Sequence, residues 1–281
     1  SLKLSDSSKF QHEGMFDLTN FPSRVRAALQ REGFVGLFWR LYRRTGKRFL
    51  HILDHRILGL VKRVNPYWYT YLYRRIHGQE KQIHRLVQTN AATIIEKSRG
   101  SKKCLFVDCG VNEGVVLAHY RKALSGFDFI GFEIQKDVIK QAKKMNPTVE
   151  LRNVAVSAQD GEAEVFLVEK SRVNIRGGTS TLRPRGTMKP IPSYTVPTIR
   201  FVDFLTEKRN HGYDFIAVKM DIEGAEYPII EDLHKSFLST DKALMEYFLI
   251  EFHPTSLEAG DENERYSRML KEMSVDYTTW I

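Results

Sequence analysis

The chain has 281 residues, 42% hydrophobic and 27% charged, enough for one large or two small domains with a real core, which excludes a disulfide miniprotein and a disordered tail. Two cysteines, Cys104 and Cys109, cannot build a disulfide framework or a zinc ribbon, and no run approaches the ~18–20 apolar residues of a membrane span, so the expected compartment is the cytoplasm. The formal charge of +9 is uneven: residues 1–100 hold 19 Lys and Arg against 7 Asp and Glu, and the remainder holds 24 against 27.

From Ser23 to about Lys97, apolar residues recur at helical spacing, as in Val25, Leu29, Phe34, Leu37 and Leu41. This predicts a basic helical extension over residues 1–98, ahead of a second domain over 99–281. Within it, the aromatic cluster Tyr67, Trp68, Tyr69, Tyr71 and Tyr73 precedes Arg74 and Arg75. Such a cluster reads as a membrane-interface belt, a sugar-stacking platform or core packing. Peripheral membrane contact through these helices is one expectation for their use, beside a cytoplasmic location.

After a linker at Ser98–Lys103 the texture changes to short apolar runs alternating with helical patterns. The expected strands are Cys104–Val107, Phe127–Phe132, Val149–Val156, Glu164–Val168, Asp214–Met220, Leu244–Ile250 and Val275–Thr278. The expected helices are Val115–Leu124, Lys136–Met145, Val202–Arg209, Glu226–Leu233 and Glu262–Met273. Alternation of this kind predicts an α/β fold: a mostly parallel sheet, Rossmann-like, with helices on both faces. Between Glu169 and Thr198 runs a Gly- and Pro-rich insertion with Arg172, Arg176, Arg183, Arg185 and Lys189, read as a lid for an anionic acceptor.

The first strand should turn into the first helix at Val107-Asp108-Cys109-Gly110-Val111-Asn112-Glu113-Gly114. A dinucleotide loop needs G-x-G-x-x-G so that its amides approach a pyrophosphate. Here Asn112 replaces the second glycine, and Asp108 and Glu113 would repel phosphate. Carboxylates in that loop suit a cationic ligand without phosphate, and S-adenosylmethionine carries both an ammonium and a sulfonium. Glu133, at the end of the second strand, is placed to accept ribose hydroxyls. Asp221 and Glu251 repeat the register at two further strand ends.

At these residues the chain resembles the FkbM family of S-adenosylmethionine-dependent methyltransferases, over about Lys102 to Asp276. The specific part is Lys219-Met220-Asp221-Ile222-Glu223-Gly224-Ala225-Glu226, similar to the family's K-x-D-x-E-G-A-E signature. Supporting stretches are Asn153-Val154-Ala155-Val156 and Glu251-Phe252-His253-Pro254. Val111 and Glu113 depart from the family's usual small residues. The resemblance implies a class I methyltransferase fold and a hydroxylated acceptor, a saccharide or related natural product. On this reading Asp108, Gly110, Asn112, Gly114, Glu133, Asn153 and Ala155 bind the donor.

Methyl transfer to an alcohol needs alignment and removal of the hydroxyl proton. His253 is the first candidate base, with Glu251 to orient it, and Asp221 is the second, with Lys219 as its ion-pair partner or as a steering cation. Asp221, Glu223, Glu251 and His253 also form a ligand set suited to Mg²⁺ or Mn²⁺. Two rival readings remain at this stage. One is a nucleic-acid methyltransferase acting on a ribose hydroxyl, favoured by the basic extension but lacking a recognisable RNA-binding module. The other is a membrane-binding scaffold with a degenerate methyltransferase fold, against which the intact Asp108, Gly110, Gly114, Glu133 and Asp221 speak.

Overall fold

A computed structural model of the protein describes residues 79–168, 190–253 and 259–280. The elements are α1 (Gln79–Lys97), β1 (Cys104–Cys109), α2 (Val115–Ala123), β2 (Phe127–Phe132), α3 (Lys136–Met145), β3 (Glu150–Arg152), β4 (Ala155–Ser157) and β5 (Gly161–Val168). They continue with β6 (Pro190–Arg200), α4 (Phe201–Asn210), β7 (Phe215–Met220), α5 (Glu226–Thr240), β8 (Tyr247–Ile250), α6 (Ala259–Glu272) and β9 (Asp276–Thr279).

Six strands form one sheet in the order β3-β2-β1-β7-β8-β9, with every neighbouring pair parallel. The central strands are short apolar runs because both of their faces are covered, and all six residues of β7 are buried. On one face Leu105, Val107, Ile216, Val218 and Phe248 join the apolar sides of α4, α5 and α6. On the other face Phe106, Ala217 and Leu249 meet α1, α2 and α3. The doubly wound arrangement read from the sequence is the observed one.

Two local expectations differ from the structure. The single strand expected over Val149–Val156 is two, β3 in the main sheet and β4 in a separate three-stranded sheet ordered β4-β6-β5. The chain leaves the main sheet at Asn153, whose side-chain amide donates to the backbone carbonyls of Glu133 (2.7 Å) and Ile134 (3.0 Å). The stretch 190–198, read as part of a lid, belongs to β6, which pairs parallel with β4 and antiparallel with β5. Residues 169–189 of that expected lid, with the five cations named above, lie outside the described residues, as do the aromatic cluster and the helices expected before residue 79.

The boundary expected at residue 98 falls after α1. The compact unit that holds the sheet runs from Gln82 to Ile281. Val87, Ala91 and Ile94 recur at helical spacing on α1 and are 0%, 2% and 0% exposed, packed with Phe106, Leu117 and Tyr120. Removing the Ile94 side chain to alanine should cost about 2–5 kcal/mol in a denaturant titration. A chain beginning at residue 99 should fail to fold, whereas one beginning at residue 79 should unfold in one cooperative transition. Equal stability of the two would refute the placement of α1 in this core.

Candidate active site

The glycine loop leaves β1 in a conformation that its sequence makes affordable only at certain positions. Gly110 and Gly114 have φ of 87° and 82°, and Asn112, a residue that tolerates the left-handed region, has 51°. Gly110 is required for a second reason: a Cβ there would overlap the backbone carbonyl of Asp221. The amides of Gly110 and Val111 both donate to the carbonyl of Phe132 at 3.0 Å, and the Asn112 amide donates to Glu133 Oε2 at 2.8 Å. The other Glu133 oxygen takes the Gln135 amide at 2.8 Å. Burial pushes the Glu133 carboxyl up, and the amide hydrogen bonds pull it back.

Beneath the loop, parallel register sets Asp108 opposite Lys219. Both side chains are buried, and Lys219 Nζ donates to Asp108 Oδ1 at 3.2 Å. Nζ also lies 3.7 Å from Asp221 Oδ2 and 5.7 Å from the centre of the Trp280 ring. Burial alone would push the ammonium down, but the carboxylates of Asp108 and Asp221 hold its pKa above the ordinary lysine value. Asp108 Oδ2 is sealed from solvent and has no hydrogen-bond partner among the described residues.

A second cluster sits where β7 and β8 end. The turn after β7 places Glu223 in the left-handed region with φ 59°, followed by Gly224 at 106°. For a glutamate this conformation is strained, and such strain gathers at functional sites. Glu226, the first residue of α5 and fully buried, folds back to accept the amides of Ile222 (2.9 Å) and Gly224 (2.8 Å). Glu226 thus closes the turn at the helix N-terminus and also holds a side chain. His253 Nδ1 donates to Glu226 Oε1 at 3.0 Å, which turns Nε2 toward Glu251 (3.4 Å), Glu223 (3.6 Å) and Asp221 (3.9 Å). Ligand atoms of Asp221, Glu251 and His253 all lie within 4.8 Å of one another.

The model of the methyltransferase FkbM domain matches residues 108–276. The chain belongs to the FkbM methyltransferase family. No curated protein sequence matches it. Among solved structures, the plantazolicin methyltransferase BpumL with SAH is 12% identical, over 69% of this chain and 56% of that one, with a TM-score of 0.30. BpumL with a pentazolic desmethylPZN analog and SAH is 12% identical, over 74% and 63%, TM-score 0.32. The N-terminal domain of human METTL16 with SAH is 14% identical, over 64% and 59%, TM-score 0.33. This FkbM chain spans 40% to 63% of the BpumL chains it matches.

The structure brings the glycine loop, Glu133 and the K-x-D-x-E-G-A-E turn of this FkbM protein to one sheet end, as their spacing implied. Two further residues expected at the donor have packing partners of their own. Asn153 donates to the backbone carbonyls of Glu133 and Ile134, and Ala155 is buried among Val165, Val196 and Tyr194 of the second sheet. Two contributors escaped sequence reading. Trp280 faces Lys219, and a Cβ on Gly131 would strike Val111 and Leu151, so that glycine lets the loop sit on β2. Nothing in periodicity or spacing marks either.

The first-choice role of His253 as proton acceptor also changes. Burial lowers its pKa, but the carboxylates of Glu226 and Glu251 outweigh that and raise it to about 10. In this arrangement the ring is an imidazolium at neutral pH and has no free lone pair. A raised pKa stabilises the fold fully below the ordinary histidine value of ~6.5, and that contribution is lost as pH climbs toward about 10. The stability advantage of wild type over His253→Gln should therefore shrink between pH 6.5 and 10. A pH-independent difference, or an NMR titration of the ring near 6.5, would contradict this placement.

Proposed function

We propose that the protein is an S-adenosylmethionine-dependent O-methyltransferase acting on a hydroxyl of a saccharide or related natural product. The observation that carries the reading is the contact of Gly110 with the Asp221 backbone, which joins the donor loop to the carboxylate cluster at one sheet end. The donor that FkbM membership implies fits the residues present. Asp108 offers an unpartnered carboxylate oxygen for a cationic group, and the loop lacks the phosphate-binding glycine spacing. Glu133 keeps its carboxylate beside the loop, where it accepts the Asn112 and Gln135 amides and is placed to accept ribose hydroxyls.

The donor supplies a methyl group already activated on a sulfonium. The chain supplies alignment and a destination for the hydroxyl proton. With His253 protonated, Asp221 takes the role of proton acceptor. One of its oxygens is drawn to Lys219 and the other faces the His253 ring. The imidazolium holds Asp221, Glu223 and Glu251 together against their mutual repulsion.

A second route to the same proton is favoured by one observation. The separations of 3.4–3.9 Å between Nε2 and three carboxylates exceed ordinary hydrogen bonds but suit ligands around one ion. On this route His253 would give up its Nε2 proton as the ion binds, and Asp221, Glu251 and the neutral ring would hold Mg²⁺ or Mn²⁺, which would acidify the hydroxyl, with Glu226 fixing the ring from its other nitrogen. The charge of residues 1–100 favours an anionic acceptor or surface, with a nucleic-acid ribose hydroxyl or a membrane as the rival partners. No described helix is long and apolar enough to cross a membrane, and a cytoplasmic site of action is part of the proposal.

The test is transfer of a labelled methyl group to separate pools of glycans, RNA and small hydroxylated metabolites. Label should enter the glycan or metabolite pool, and entry into RNA alone would replace the acceptor assignment. Asp221→Asn should lower turnover about 10²–10⁴-fold with donor affinity nearly kept. Retained turnover would remove Asp221 as the acceptor of the proton. Calorimetric titration with Mn²⁺ should show one site that Glu251→Gln abolishes, and no heat with wild type would end the metal route.

A further inference from the structure

We propose that Lys219 is a positioning residue for the methyl donor: its buried ammonium takes one oxygen of Asp108 and so leaves the other for the donor's amino group. This rests on the donor reading above and adds to it a residue that never touches the ligand.

Lys219 lies in the middle of a sheet whose other β7 residues are Phe, Ile, Ala, Val and Met. Two ions withdrawn from water pay a desolvation penalty that an apolar pair of similar volume avoids. A merely structural solution at these two positions would be another pair of apolar side chains, like the Phe106–Ala217 pair two residues earlier in the same register. The ions are nevertheless there, and the Lys219 ammonium is fixed from three sides. Asp108 Oδ1 lies at 3.2 Å, Asp221 Oδ2 at 3.7 Å and the Trp280 ring at 5.7 Å.

A cation held in this way cannot follow the carboxylate if Asp108 turns, so it fixes the carboxylate instead. One oxygen is engaged and the other has no partner among the described residues. An unpaired buried acceptor is destabilising in the empty protein and becomes favourable only when a donor group reaches it. The remaining buried groups nearby do not fill that role: the Tyr120 hydroxyl makes no hydrogen bond to Asp108 Oδ2, and Glu133 is a carboxylate that itself accepts the loop amides. The geometry thus separates two tasks, with Asp108 recognising the ligand and Lys219 setting which way Asp108 offers its free oxygen.

Calorimetry with two ligands distinguishes this from a structural role. S-adenosylhomocysteine carries the amino-acid end, and 5′-methylthioadenosine is the same nucleoside thioether without it. Wild type should prefer the first, and Asp108→Asn should lose about tenfold to a hundredfold of that preference, the scale of one charge-assisted hydrogen bond. Lys219→Met should lose a similar factor for S-adenosylhomocysteine and little for methylthioadenosine, and Lys219→Arg should restore part of it. Because Lys219→Met strands a buried carboxylate and is liable to unfold, the double variant Asp108→Asn/Lys219→Met supplies a fold with no uncompensated ion at this pair. Its ligand preference should equal that of Asp108→Asn alone, since Lys219 acts only through Asp108. A further loss in the double variant, or equal weakening of both ligands by Lys219→Met, would overturn the proposal. Wild type that binds neither ligand would overturn the donor reading with it, whereas an unchanged preference in a folded Lys219→Met would overturn the proposal alone.

Discussion

The register between β1 and β7 is the constraint on which the site depends. Because Cys109 lies opposite Met220, the Asp221 amide donates to the Cys109 carbonyl at 3.0 Å, and the next residue on each chain must share the same space. Only glycine at position 110 permits it. One step back in the same register, Asp108 meets Lys219. A slip of one residue would turn Asp108 and Lys219 to opposite faces and push a side chain into the Asp221 carbonyl. The donor loop and the carboxylate cluster are therefore two parts of one sheet edge.

Electrostatics explains why the edge is built from paired groups. Asp108, Asp221, Glu223, Glu226 and Glu251 gather around two basic residues, Lys219 and His253. Each basic group is oriented on one side and left to act on the other. Lys219 is held by Asp108 and reaches Asp221, and His253 is held by Glu226 and reaches three carboxylates. Glu226 can hold the ring because two turn amides hold Glu226. The left-handed backbone at Glu223 is the strain that this turn carries.

Much of this was legible in the sequence, for identifiable reasons. Strands covered on both faces are mostly apolar, so β1, β2 and β7 stand out as runs, and a loop with positive φ favours glycine, so Gly110 and Gly114 stand out as well. What escaped depends on contacts distant in the chain. The break at Asn153 arises from hydrogen bonds to residues 133 and 134, and β6 arises from pairing with two strands that precede the undescribed stretch 169–189. The charge of His253 follows from Glu226, 27 positions away, and not from the adjacent Glu251 alone. Periodicity reports which face a residue occupies, and it does not report which charges surround it there.

The central claim is that one sheet edge holds the donor through Asp108 and Glu133 and faces the acceptor with Asp221. A crystal structure of the full chain with S-adenosylhomocysteine tests it most directly. The account predicts the ligand's amino group within hydrogen-bonding distance of Asp108 Oδ2, its ribose hydroxyls on Glu133, and Lys219 still on Asp108 Oδ1. A ligand bound away from both carboxylates, or Lys219 turned from Asp108 in the complex, would contradict it.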